Sequence, residues 1–326
     1  MVQFRKLSAF IALFLPAVYS CNAPSRSKLI TVTLQQEWFP YSGFAGELTA
    51  MHETDSLHGL NIDLHAGSEN IDPIKLVISG TRDFGVAPAD RILAADQKGA
   101  RLVVIGVIES RSPVCFLTKA KDHILSPKDF PGKKAGVIAG VQSELVYRTL
   151  LAKQGIKMNQ VKEVNIPFGL ETFLLGQYDI RPAFIYNETL VLEDKHIPFN
   201  TIKPEQYGVT FLGSVYFTTQ DYIDKHPQLV QAFISSIADG WKKALTNPAK
   251  SISYLKQFDH SIDSVREYRS LIMAKDYYQP AGERLLYASK KDWQAMYAHL
   301  KDLKVITNVD LAKSVDDSFI NNWANH

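Results

Sequence analysis

Apolar and polar positions follow two periods along this chain, and the switch between them marks its layout. Up to residue 217 short apolar runs alternate with amphipathic stretches. Leu29 to Leu34 reads as a first strand, and Ala45 to Met51 as a short helix. Gly59 to Leu64 is a second strand. Asp72-Pro73 opens a helix, with Asp as N-cap and Pro in the first turn, and Gly80 ends it. Asp83 to Pro88 is a strand leading into a helix over Arg91 to Lys98. Arg101 to Ile108, rich in Val and Ile, is a buried strand. The order β, α, β, α, β, α, β predicts a mainly parallel sheet.

The theme then repeats. Ser112 to Leu117 and Ala135 to Ile138 are strands, Glu144 to Gln154 is a helix stopped by Gly155, and Val161 to Ile166 is a strand. Leu170 to Gly176 is helical and Ile180 to Tyr186 extended. Pro198 to Ile202 and Val209 to Leu212 are expected to complete a second small sheet. From Thr218 onward the period is helical throughout: Asp221 to His226, Gln228 to Thr246, Pro248 to Gln257, Ser264 to Lys275, Lys290 to Leu303 and Val315 to Trp323. The fold class expected is α/β, in two lobes with a helical C-terminal tail. The chain crosses between lobes near Ser112 to Leu117 and near Gly213 to Thr218. The boundaries are residues 29–113 and 217–326 for the first lobe and 114–216 for the second. Two crossings make a hinge, and hinged lobes close around ligands.

The stretch Trp38-Phe39-Pro40-Tyr41-Ser42-Gly43-Phe44-Ala45-Gly46-Glu47 follows the first strand. It sets four aromatic rings at a strand's carboxyl end, where ligands bind in open α/β sheets. Gly43 and Gly46 are expected to supply backbone freedom. Trp38, Phe39, Tyr41 and Phe44 are candidates to stack on a flat ring; the competing reading makes Trp38 and Phe39 a core plug.

Composition refines this picture at the N-terminus. The chain has 326 residues, 46% apolar and 21% charged, ordinary for a globular protein of two lobes. Arg5 and Lys6 precede the apolar run Leu7 to Val18, so residues 1–20 read as an export signal. Val18-Tyr19-Ser20-Cys21 resembles a bacterial lipobox, which implies cleavage before Cys21 and a lipid on its thiol; ordinary signal-peptidase cleavage is the alternative. Residues 21–28 would be a tether to a membrane surface. Of the 36 Lys and Arg, two leave with that leader, which brings the rest level with the 34 Asp and Glu. That balance argues against a nucleic-acid partner. Cys115, in an apolar strand, reads as a small buried hydrophobe. Neither a metal site nor a nucleophile motif is legible among the nine His and two Cys.

Several stretches together resemble one family, the periplasmic binding proteins related to thiamine-pyrimidine synthesis. They are Trp38-x-Pro40 with Phe44-Ala45-Gly46; Asp72-Pro73 to Gly80 followed by Asp83-Phe84-Gly85-Val86; Ser112-Pro113; Tyr186-Asn187-Glu188; Ile202 to Val209; and Asp239-Gly240-Trp241 through Asn247-Pro248. The likeness runs from about Leu29 to Ala249. It implies a type II periplasmic-binding-protein fold and an exported, monomeric, lipid-anchored protein without cofactor or catalysis. Its implied partners are a small-molecule ligand and an ABC permease and ATPase. Relatives of this pattern take formylaminopyrimidine-type thiamine precursors or riboflavin; others take taurine, sulfonates or nitrate. Where the family carries a Gly-Tyr-Tyr-like element, this chain has Asp55-Ser56-Leu57-His58. Fungal relatives that synthesise the pyrimidine carry a dense cysteine motif, absent here. A sensor module is a further reading, since the fold also serves as an input domain.

Candidate residues beyond the aromatic loop follow from their places. Glu188, at a strand's carboxyl end beside Tyr186 and Asn187, would accept N–H bonds from an aminopyrimidine or a flavin imide. Gln142 and Ser143 open a helix whose free N–H groups suit an anion or carbonyl oxygen. Asp90 is placed either in the cleft or in a surface pair with its neighbours. Arg111, at the hinge, would clamp a phosphate or sulfonate only if buried without a carboxylate partner; otherwise it braces the crossing strands.

Overall fold

The computed structural model describes residues 28–325. The leader, Cys21 and the tether apart from Lys28 lie outside these residues. The first lobe opens with β1 (Ile30–Gln35), α1 (Ala45–Glu53), β2 (Leu60–His65), α2 (Pro73–Ile78), β3 (Phe84–Pro88), α3 (Ala89–Asp96) and β4 (Leu102–Val107). The second lobe holds β5 (Val114–Lys119), β6 (Lys134–Val137), α4 (Gln142–Lys153), β7 (Lys162–Asn165), α5 (Glu171–Leu174), β8 (Ile180–Phe184), α6 (Glu188–Asp194) and β9 (Phe199–Ile202). The chain returns through β10 (Ser214–Thr219). It ends in α7 (Gln220–Lys225), α8 (Pro227–Thr246), α9 (Pro248–Phe258), α10 (Ser264–Tyr278), α11 (Lys290–Asp302), α12 (Leu311–Ser314) and α13 (Ser318–Ala324).

Each lobe is built on a five-stranded sheet, ordered β2-β1-β3-β10-β4 and β7-β6-β8-β5-β9. β1 pairs in parallel with β2 and β3, and β6 with β7 and β8. The sheets are mixed rather than mainly parallel. β10 lies antiparallel between β3 and β4, and β5 lies antiparallel between β8 and β9. These two strands are the ones that leave the crossings, so they enter their sheets from the hinge end.

Local chemistry explains most element ends. The Asp72 carboxylate accepts from the Ile74 N–H while Pro73 fills the first turn of α2. Gly155, at φ 68°, stops the chain after α4. β4 is buried at every position, which matches its Val- and Ile-rich run. The apolar face of α8 carries Val230, Phe233, Ile234, Ile237, Trp241 and Ala244, all buried against the first lobe. Gly240 lets α8 approach α1: an added Cβ would sit 2.4 Å from the Gly46 carbonyl oxygen.

Four expectations are corrected. Val209 to Leu212 is not a strand. Val209, Phe211 and Leu212 are almost fully buried, so their apolar character serves a core-filling crossing, which keeps one backbone bond from Ser112 to Phe211. β10 begins at Ser214, so the return to the first lobe precedes residue 217. The last helix begins at Ser318 rather than Val315, because Val315 forms a parallel bridge with Val104 and the Asp316 N–H donates to the Val104 carbonyl; the short α12 precedes that bridge. Gly43 and Gly46 lack left-handed backbone and instead give room, to the Tyr41 ring and the Trp241 indole respectively. One apolar cluster continues from Val77, Ile92 and Val104 through Leu212 and Val215 to Phe116, Tyr147 and Leu150, joining the lobes around the crossings.

Candidate functional site

Six strand ends converge between the lobes. Glu37 and Trp38 follow β1, Asp90 lies in the first turn of α3 after β3, and Glu109 follows β4. From the second lobe, Gln142 opens α4 after β6, Phe168 follows β7, and Tyr186 follows β8. All six strands are members of the parallel core of their sheets or flank it, and their carboxyl ends face a common cleft.

Side chains from the two lobes meet across that cleft. The Trp38 and Phe168 rings stand 4.8 Å apart between centroids, tilted by 56°. Gln142 Nε2 donates to Asp90 Oδ1 at 2.5 Å. The Tyr186 hydroxyl donates to Glu109 Oε1. Gln142 also ties both crossings together: its Nε2 donates to the Leu212 carbonyl at 2.9 Å, and its Oε1 accepts from Ser112 Oγ at 2.7 Å. Phe39 packs edge-on against Trp38, 5.4 Å away, and remains half exposed.

The floor of the site is acidic. Glu37 Oε1 accepts from Ser214 Oγ at 2.8 Å, and Glu109 Oε2 accepts from the Ser214 N–H at 3.0 Å. Burial pushes the Glu37 carboxyl up to about 7, against the Ser214 bond and the Arg91 charge; Glu109 and Asp90 raise it further. Burial likewise lifts Asp90 and Glu109 to about 6. Arg91, the cation that bears on Glu37 and Asp90, is paired with Asp72 at 3.0 Å. Behind them Glu47 accepts from Gln36 Nε2 at 2.9 Å and from the Tyr216 hydroxyl, and burial raises it to about 7.

Other candidates fall elsewhere. Phe44 is fully buried in the first-lobe core, with Phe258 at 6.2 Å, so it packs the lobe and does not face a ligand. Tyr41 is partly exposed, 5.8 Å from the Phe44 ring, and its hydroxyl lies within Coulombic reach of Glu37 and Glu109. Arg111 is half exposed and pairs with Glu283 at 3.2 Å, which removes the condition set for an anion clamp. Ser143 is buried one residue inside α4, whose N-cap is Val141. Asn187 is exposed at the N-cap of α6. Glu188 folds back on its own strand, accepting from the Phe184 N–H at 2.8 Å, and burial raises its carboxyl. Its described bonds do not join it to Trp38.

Glu37, Glu109 and Phe168 are not singled out by the sequence reading, although the strand-end rule applied to every strand reaches all three. Tyr277 and Tyr278, which close the cleft beside Tyr186 at 5.9 and 6.3 Å, come from the end of α10 and carry no sequence signal. Two cavities, of about 470 and 340 Å³, lie beside the crossings around Arg111, Lys203, Glu205 and Tyr277. Arg111 alone of the candidates lines them. Among the described residues no group of three His, Cys, Asp or Glu is placed to hold a metal ion.

Two mixed sheets joined by a double crossing, with the strand ends turned toward each other, define the two-lobed periplasmic-binding-protein fold. Residues 56–251 match the family described as NMT1/THI5 like, and the chain belongs to that family. The aliphatic sulphonate binding protein of Escherichia coli superposes with a TM-score of 0.71, covering 88% of this chain and 92% of its own at 15% identity. A putative binding protein of Brucella abortus is 22% identical over 205 residues, 62% of this chain. The chain spans 63% of the length of that relative. A 4-amino-5-hydroxymethyl-2-methylpyrimidine phosphate synthase of Legionella pneumophila is 24% identical over 258 residues, covering 76% of this chain and 79% of its own.

Proposed function

We propose that the chain is an extracytoplasmic solute-binding protein of an ABC importer, which captures a small planar heteroaromatic nutrient of the thiamine-pyrimidine-precursor or riboflavin kind by closing its lobes. The observation that carries this reading is the Trp38–Phe168 pair, two aromatic faces supplied by opposite lobes at one cleft. These rings touch each other in this structure, so a flat ring enters between them as the lobes part and then gains about 1–3 kcal/mol per face by stacking. The acidic lining favours a ring with N–H donors over the sulfonate of the Escherichia coli neighbour's name, because an anion would meet Glu37, Asp90 and Glu109 with Arg91 already paired. The same lining leaves the anion alternative without a clamp.

On this reading the protein works without catalysis. The synthase name of the Legionella relative is the argument for an enzyme. Against it, Cys115 is buried and its thiol is pushed up by burial, away from reactivity. The leader would direct export, and a lipid on Cys21 would hold a monomer at a bacterial membrane, in reach of a permease and its ATPase.

Calorimetry and small-angle scattering test the proposal with three probes: 4-amino-5-hydroxymethyl-2-methylpyrimidine, riboflavin and ethanesulfonate. Binding of either ring, with a fall in radius of gyration, is expected. Binding of ethanesulfonate alone overturns it.

A further inference from the structure

The two cavities beside the crossings share Arg111, Lys203, Glu205 and Tyr277 as a common wall. They are separate from the cleft. Tyr277 stands between the two spaces, packing edge-on against Tyr186 at 5.9 Å, and none of Trp38, Asp90, Gln142 and Phe168 lines either cavity. The larger cavity, about 470 Å³, is of the size that takes small molecules, roughly 300–1,000 Å³.

The lobes face each other across this larger cavity. Met273, Asp276 and Tyr277 come from the end of α10 in the first lobe. Phe199 and Thr201 on β9, with Lys203 and Glu205 just after it, come from the second. Two charged groups of the wall are already engaged, Arg111 by Glu283 and Glu193 by Arg269. Among the described residues Lys203, Glu205 and Asp276 have neither an ion pair nor a side-chain hydrogen bond, although Lys203 is half-buried. A charge drawn partly out of water without a partner costs free energy. Glu205 and Asp276 both lie within Coulombic reach of the Tyr277 hydroxyl, so one acid from each lobe bears on the same point. Beside these charges Ile185, Phe199 and Met273 supply apolar wall, and Met273 is 36% exposed.

We infer that this cavity is a second binding site, for an α-amino acid with an apolar side chain: the carboxylate meets Lys203, the ammonium meets Glu205 and Asp276, and the side chain lies on Phe199 and Met273. The unengaged charges set this choice. A simple anion would meet two acids, and a simple cation would leave Lys203 unmatched. A zwitterion satisfies both signs, and an ammonium has the three N–H donors that two carboxylates can share. Such a ligand ties an acid of one lobe to an acid of the other beside the hinge. The inference stands apart from whatever the cleft between Trp38 and Phe168 takes.

Calorimetry on the purified protein tests it with L-phenylalanine and L-leucine. Two comparison probes each lack one charge: phenethylamine has no carboxylate, and 3-phenylpropanoate has no ammonium. L-phenylalanine is expected to bind about tenfold tighter than either, as each loses its charge-assisted bonds at one end. Lys203→Met is expected to bring L-phenylalanine level with phenethylamine, and Asp276→Asn to narrow its lead over 3-phenylpropanoate. Neither side chain has a partner within the fold, so both variants keep it. Binding of neither amino acid overturns the inference. So does equal binding of L-phenylalanine and the two comparison probes. Binding that both variants leave untouched overturns it as well, since the amino acid then sits elsewhere.

Discussion

Gln142, at the start of α4 in the second lobe, donates from Nε2 to Asp90 Oδ1 of the first lobe at 2.5 Å while holding both crossings through Ser112 and Leu212. One side chain thus links every part that must move when the lobes separate. Gln142→Ala leaves the buried Asp90 without its donor, at a cost of about 1–3 kcal/mol. We expect lower stability in urea and a larger radius of gyration by scattering. An unchanged radius would show that the lobes hold without this link.

Trp38 and Phe168 approach from opposite lobes and neither is fully buried. Trp38→Ala is expected to weaken ring binding by about tenfold or more, in line with one lost stacking face. The melting temperature without ligand should change little. A large stability loss with unchanged affinity would return Trp38 to the role of a core plug.

Arg269 on α10 pairs with Asp194 and Glu193 on α6, and Arg266 pairs with Asp194, so an ionic patch spans the two lobes on the surface. Exposed pairs of this kind are screened by salt. Raising salt from about 0.1 to 1 M is expected to shift the empty protein toward the open form, read as a larger radius of gyration. Arg269→Ala should abolish most of that salt response.

Glu47 and Glu37 have folded-state values lifted by burial from 4.5 to about 7. Between those limits the native state binds more protons than the unfolded chain, so the contribution of these two groups to stability is full below 4.5 and is lost as pH rises through 7. Glu53, held down to about 2 by Lys250 and Tyr254, titrates below that window. The melting temperature of the empty protein is therefore expected to fall from about pH 5 to about pH 7.5, and Glu47→Gln should flatten the slope. A rising curve would mean that these carboxyls are ionised in the native state.

The parts of this architecture that depend on local chemistry are legible in the chain. Asp72-Pro73 announces α2, and the Val-rich run announces β4, because capping and full burial leave marks on single segments. The antiparallel entry of β10 leaves none, since strand direction is settled by where the crossing returns. Val209 to Leu212 is apolar enough for a strand, and only tertiary burial shows that it fills a core instead. At the site, Trp38 and Gln142 are recognisable from their strand ends. Glu37 and Glu109 look like ordinary solvated acids until the fold buries them, and Tyr278 comes within Coulombic reach of Glu109 from more than 160 residues away in sequence. Arg111 reads as an anion clamp only until Glu283 is seen beside it.

The placement of β10 between β3 and β4 sets an order for assembly. The strands of the second sheet, from Val114 to Ile202, are contiguous in the chain, whereas the first sheet keeps a gap in its middle until residue 219 arrives. During synthesis, which proceeds from the N-terminus, the second lobe matures while the β3 and β4 edges are still unpaired. Those edges are the adhesive surface of the nascent protein, open to mispairing with another chain until the returning strand seals them.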